Sequence, residues 1–164
     1  MNTHIPLSLI GISHKTAPVE IREALAFSKD EQQTLIHLLP AKFHLGGTII
    51  LSTCNRTELY LSGEVEDDRL QELRQYLNEF KHCDYFTNDQ FLYSLKGKEA
   101  VFHFFQVISG LDSQILGEPQ ITGQVKNAYQ MAYELNGTDA LLNKLVNYGL
   151  QAEKKVRSQT FLSD

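Results

Sequence analysis

The chain has 164 residues, enough for one domain or one domain with an appendage. Hydrophobic residues make up 42% and charged residues 21%, which permits a packed core and excludes a disordered chain. The net charge of −5 argues against a broad phosphate-binding surface, and the two cysteines make no disulfide framework.

The N-terminal "MNTHIPLSL" lacks a basic region followed by a hydrophobic stretch, and no apolar run approaches the roughly 20 residues that span a bilayer. A reducing, cytoplasmic setting without a membrane is expected. In chain order, "LSLIGISH" (7–14) is rich in β-formers and predicts a strand. "SKDEQQTLIHLL" (28–39) opens with Ser28 and Glu31 in capping-box spacing and runs to Pro40, which predicts a helix with both ends marked. "GTIILST" (47–53) and "TELYLSG" (57–63) predict two strands joined through Cys54, Asn55 and Arg56, where Asn55 suits a left-handed turn position. "DDRLQELRQYLNEF" (67–80) places Leu70, Leu73, Leu77 and Phe80 at helical spacing, and "QFLYSL" (90–95) predicts a fourth strand. The order β-α-β-β-α-β is that of a ferredoxin-like sheet.

Beyond residue 97 the pattern is helical only. "KEAVFHFFQVISG" carries Val101, Phe104, Phe105 and Ile108 on one stripe. "PQITGQVKNAYQMAYELNG" starts with Pro119 and ends with Asn136 and Gly137, a C-terminal capping pair. "TDALLNKLVNYGLQAEKKVRSQ" predicts a last long helix. The class is therefore α+β: a ferredoxin-like βαββαβ subdomain over 1–96 that carries Cys54, then a helical extension over 97–164.

Cys54 is the first candidate for chemistry. A nucleophilic cysteine must reach solvent and be partly thiolate, and a nearby cation favours that form. Arg56, two residues on, can serve so, or can grip a substrate carboxylate in a two-point fork. Thr53 and Asn55 add short hydrogen-bonding groups that can steady an oxyanion. The same residues also fit an inert thiol near a hairpin tip, and Cys83 in "KHCDY" has no comparable setting. A second candidate is "SGLDSQILGEPQITGQ" (109–124), where glycines interrupt the apolar pattern and Gln120 and Gln124 share a helical face. The early amides of that helix can meet an anion, or the segment is a capped helix with a solvated face. It is no phosphate loop, since no Gly-Lys-Ser/Thr follows the glycines. Among the six histidines none has metal-ligand spacing, so no metal is expected. His103 lies just off the Val101/Phe104 stripe, as an acid or base or as a packed residue, and His14 ends the first strand.

"GISHKTAPVEIREALAF", "LSTCNRTELY", "SGLDSQILGEPQITGQVKNAY" and "KKVRSQT" resemble, in order and spacing, the N-terminal catalytic domain of glutamyl-tRNA reductase. The resemblance covers nearly the whole chain. It implies that Cys54 attacks the ester of glutamyl-tRNA to give a thioester, which NADPH reduces to glutamate-1-semialdehyde for tetrapyrroles. It implies that Thr53, Asn55 and Arg56 contact substrate around the nucleophile. Ser113, Glu118, Pro119, Gln120 and Gln124 would line the other side, with His103 important for activity. No Gly-x-Gly-x-x-Gly follows a strand, so the chain is expected to lack the NADPH-binding and dimerisation domains of the full-length enzyme. A monomer is expected here, a homodimer and a glutamate-1-semialdehyde aminomutase partner in the full-length family. A stand-alone cysteine hydrolase or acyltransferase, and a non-catalytic ferredoxin-like binding module, are the other classes the residues allow.

Overall fold

A computed structural model describes residues 4–111 and 120–160. Strand β1 (Leu7–Ser13) is followed by helices α1 (Val19–Leu25) and α2 (Lys29–Phe43), strands β2 (Gly47–Ser52) and β3 (Arg56–Ser62), and helix α3 (Asp67–Lys81). A short 3-10 turn (Tyr85–Thr87) leads to β4 (Tyr93–Lys96), then helices α4 (Lys98–Ile108), α5 (Gln120–Glu134) and α6 (Ala140–Thr160). The four strands form one antiparallel sheet in the order β2-β3-β1-β4. That order is the ferredoxin-like arrangement predicted from the sequence.

β1 and β3 are buried along their whole length, so helices cover the sheet on both faces. A solvated sheet face would show alternating burial, and these central strands are buried at every position instead. α4 packs on β1 and β4, α5 and α6 pack on β2, and all three helices touch one another. Leu9, Ile50 and Leu61 of the sheet and Phe104, Val125 and Val146 of these helices belong to one core. The helical part thus completes the same core as the sheet. Among the described residues no helix is long and apolar enough to cross a membrane.

The capping box of α2 forms as predicted. The Glu31 amide donates to Ser28 Oγ over 3.2 Å, and the Ser28 amide donates to Glu31 Oε1 over 2.8 Å. Pro40 does not end this helix. A proline lacks an N–H and forfeits one bond to the preceding turn, but here it lies in the last turn. The helix runs three residues further and closes when His44, in the left-handed conformation, and Leu45 donate to the Pro40 carbonyl. β4 starts at Tyr93 rather than at 90, because Asn88 folds residues 88–92 into a turn. Its carbonyl accepts from Phe91 and Leu92 and its side chain from Gln90. Asn136 takes the left-handed conformation expected of a helix cap, and the Gly137 amide donates to Ala132 O.

Candidate functional site

Cys54 is exposed at the tip between β2 and β3. The tip is tight because Thr53 organises it. The Thr53 amide donates to Arg56 O over 2.8 Å, and Thr53 Oγ1 accepts from the amides of Asn55 and Arg56, each over 3.2 Å. This is the side-chain turn chemistry for which threonine is suited. No left-handed residue is needed, and Asn55 does not adopt that conformation. Two neighbours brace the tip from outside. The His14 amide, at the end of β1, donates to Asn55 O over 2.8 Å. Arg22 of α1 donates from Nε to Cys54 O over 3.2 Å and from Nη1 to Ala17 O over 2.8 Å.

Arg56 does not project from the tip as a free fork. Its side chain is only 2% exposed, and Nη1 donates to Glu58 Oε2 over 3.3 Å. Glu58 is wholly buried in the middle of β3. The Tyr60 hydroxyl donates to its Oε1 over 2.8 Å. Its Oε2 also accepts from the Tyr93 hydroxyl and meets His103 Nε2 at 2.5 Å. Burial pushes the Glu58 carboxyl up, but the His103 bond, the Arg56 charge and the Tyr93 bond together bring it below the ordinary glutamate value. Burial and the Glu58 charge in turn push the Tyr60 phenol well up.

His103, just off the apolar stripe, is largely buried. Its side chain is 15% exposed, bonded to Glu58, with its ring 5.3 Å from that of Tyr93. A chain of contacts therefore runs from the tip to this histidine: Thr53 to Arg56 by backbone, Arg56 to Glu58 and Glu58 to His103 by side chains.

Among the clefts that the described residues line, two carry residues singled out from the sequence. One, of about 180 Å³, lies between β2, α2 and α5 and brings together Thr53, Gln124, Asn127, Lys29 and Gln32 over a floor that includes Ile50. Thr53 and Gln124, which the resemblance sets on two sides of a substrate, both line this cleft. Gln120 is exposed one turn earlier on α5. The other cleft runs along α4 and is lined by His103, Leu95, Phe102 and Gln106. Ser113, Glu118 and Pro119 lie outside the described residues. Cys83 is half-buried, with its thiol 3.6 Å from Asn78 Oδ1. Among the described residues no group of three or more His, Cys, Asp or Glu side chains is placed to hold a metal.

Sequence reasoning missed Arg22, Glu58, Tyr60 and Tyr93. Glu58 carried one usable signal, an acidic residue inside a run of strand-formers, where a charge is costly unless partnered.

The fold and tip define an α+β domain with a ferredoxin-like sheet that presents one exposed cysteine on a braced hairpin. The family model for the N-terminal domain of glutamyl-tRNAGlu reductase matches residues 10–160. The glutamyl-tRNA reductase of Trichormus variabilis is 40% identical over 154 residues, 94% of this chain and 36% of that one. That of Thermodesulfovibrio yellowstonii is 41% identical, over 96% of this chain and 38% of the other. The solved glutamyl-tRNA reductase from Methanopyrus kandleri superposes with a TM-score of 0.72 at 34% identity, over 92% of this chain and 35% of that one. The chain belongs to the family of glutamyl-tRNA reductase N-terminal domains. It spans little more than a third of the length of the relatives it matches.

Proposed function

We propose that this chain carries out the acyl-transfer half of glutamyl-tRNA reduction, taking the glutamyl group from glutamyl-tRNA onto Cys54. The observation that carries this reading is an exposed thiol on a rigid, externally braced tip in a chain of this family. Cys54 Sγ attacks the carbonyl carbon of the ester. A carbon–sulfur bond forms, the bond from that carbon to the terminal ribose oxygen breaks, and the oxygen leaves as a hydroxyl after taking up a proton. The thiol proton passes to a base, and His103 is the group assigned to proton transfer. Asn55, next to Cys54 in the chain, is assigned to the developing oxyanion. Thr53 holds the tip geometry and shares the cleft with Gln124.

Arg56 enters this reading as the cation at the inner end of the site, and Lys29 as the cation at the rim of the cleft beside Thr53. Ser113, Glu118, Pro119 and Gln120 complete the substrate contacts in this proposal. NADPH is the hydride donor the family implies. The described residues do not fit it: their sheet is antiparallel throughout, and no Gly-x-Gly-x-x-Gly turn follows a strand. No step is therefore routed through a nicotinamide. With water as acceptor, the 164-residue chain hydrolyses glutamyl-tRNA slowly to glutamate and runs as a monomer. In chains of the relatives' length, the thioester proceeds to glutamate-1-semialdehyde for tetrapyrrole synthesis, in a homodimer that works with the aminomutase.

Mass spectrometry after incubation with glutamyl-tRNA tests this. A glutamyl adduct on the Cys54 peptide is expected, absent in Cys54→Ser and retained in Cys83→Ser. An adduct on Cys83, or none on wild type, overturns the reading. NADPH-dependent semialdehyde from this chain alone would show that the cofactor site has been misplaced.

A further inference from the structure

We propose that Glu58 is the positioning residue for His103, fixing the imidazole with its Nε2 proton on the carboxylate and leaving Nδ1 as the nitrogen that exchanges protons. The inference rests on the proposed thioester chemistry for its purpose, but its geometry stands apart from it. An ionised carboxylate offers about four acceptor positions and no donor. Four donors converge on Glu58: Arg56 Nη1 at 3.3 Å, the Tyr60 hydroxyl at 2.8 Å, the Tyr93 hydroxyl, and His103 Nε2 at 2.5 Å. Arg56 can only donate, and its permanent charge keeps the carboxylate ionised. The fourth group must then donate too, so Nε2 carries the proton. A neutral imidazole protonated on Nε2 has its lone pair on Nδ1.

The surroundings are built to keep this arrangement. Glu58 lies opposite Gly11 in the β1–β3 pairing. A Cβ at Gly11 would lie 2.7 Å from Glu58 Cγ and 2.8 Å from Thr57 O. A missing side chain on β1 thus makes the room that the glutamate occupies. β3 contributes Arg56 and Tyr60, β4 contributes Tyr93 and α4 contributes His103. The low ionisation point of Glu58 agrees with four donors on one carboxylate. When His103 takes a second proton at Nδ1, the anion on its other nitrogen stabilises the imidazolium. A carboxylate behind a histidine does this wherever the ring must gain and lose a proton without turning.

Nitrogen-15 NMR of histidine-labelled chain tests the inference, with His103→Asn identifying the His103 signals. In the neutral ring, wild type should show Nε2 protonated and Nδ1 bare. In Glu58→Gln the amide can donate as well as accept, so both tautomers should appear. Thioester formation should slow roughly tenfold or more, within the 100-fold or greater share that acid–base catalysis supplies. Glu58→Gln should cost little further in a His103→Asn background, because the two act as one unit. A neutral ring with its proton on Nδ1 in wild type, an unchanged tautomer in Glu58→Gln, or fully additive rate losses each overturn it. The wild-type spectrum needs no variant to fold. Tyr93→Phe removes one donor while keeping the carboxylate, and should leave the tautomer in place; a switched tautomer there would assign the positioning to Tyr93 instead. If wild type forms no thioester, the functional reading fails, and the tautomer result still decides the Glu58–His103 relation.

Discussion

Arg22 of α1 holds the backbone carbonyl of Cys54 through Nε at 3.2 Å, across 32 residues of sequence. Its other bond, from Nη1 to Ala17 O, ties the same guanidinium to the turn that follows β1. One side chain thus fixes the Cys54 tip to the loop beside it and sets a permanent positive charge against the backbone of that tip.

Removing that brace should be felt at Cys54 before it is felt in the fold. A hydrogen bond from a charged donor is worth about 1.5–3 kcal/mol. Arg22→Gln should therefore slow thioester formation by about ten- to a hundredfold, while the half-buried site limits the stability loss to about 1 kcal/mol. Quenched time courses of the Cys54 adduct, set against urea unfolding, separate the two effects. A stability loss without a change in adduct rate would make Arg22 a purely structural tie.

Arg56 should show the reverse balance. Its guanidinium is buried against Glu58, and removing one partner of a buried pair costs about 3–5 kcal/mol because the other charge is left uncompensated. Arg56→Ala should thus be strongly destabilised, and Arg56→Lys, which keeps charge but loses the planar fork, should fall between. If the inner cation also reads the substrate carboxylate, Arg56→Lys should lose preference for glutamyl- over glutaminyl-tRNA. Unchanged preference in a folded Arg56→Lys would confine the residue to holding Glu58.

Gly11→Ala tests the space behind Glu58. The added methyl meets Glu58 Cγ at 2.7 Å and a backbone oxygen at 2.8 Å, and the oxygen cannot step aside as a flexible side chain can. Overpacking of this kind costs about 1–3 kcal/mol. A fall of roughly 2–12 °C in melting temperature is expected for a domain of this size. Slower thioester formation should accompany it, because the displaced carboxylate no longer holds His103. An unchanged melting temperature would show that the strands part freely at this position.

What was legible in the sequence were features written in neighbouring residues. Ser28 and Glu31 announced a helix start, Asn136 and Gly137 a helix end, and the runs at 7–14, 47–53 and 57–63 the three long strands, so the ferredoxin-like order followed. Cys54 at a turn was legible for the same reason. The Glu58 centre was not, because its partners Tyr93 and His103 lie 35 and 45 residues away and only the closed sheet brings them together. Arg56 misled for a related reason. A charged residue beside a turn reads as exposed, whereas Arg56 is already the first residue of β3, a strand buried at every position. Pro40 misled because the rule against proline is weakest where few hydrogen bonds remain to be lost.

The buried carboxylate should also shape the stability of the chain in acid. Glu58 ionises below the ordinary glutamate range: burial opposes its charge, and His103, Arg56 and Tyr93 outweigh burial. In the unfolded chain the same carboxyl titrates near its ordinary value of about 4.3. The native state therefore prefers the ionised form more than the unfolded state does. The stabilisation this provides is fully present above the unfolded value and is lost as the pH falls from about 4.3 through the lower native one. Glu31 in the capping box acts in the same direction. Burial pushes its carboxyl up, but the Ser28 amide and Lys81 bring it down. Its side chain is 31% exposed, so its share should be the smaller. Urea unfolding at pH 7, 5, 4 and 3 on wild type, Glu58→Gln and Glu31→Gln measures this. Glu58→Gln should be clearly less stable than wild type at pH 7, and the gap should narrow steadily below about pH 4.3 as the wild-type carboxyl is forced to protonate. A gap that stays constant across the series would mean that this carboxyl titrates alike in the native and unfolded chains, and that the four donors around it do not favour the anion.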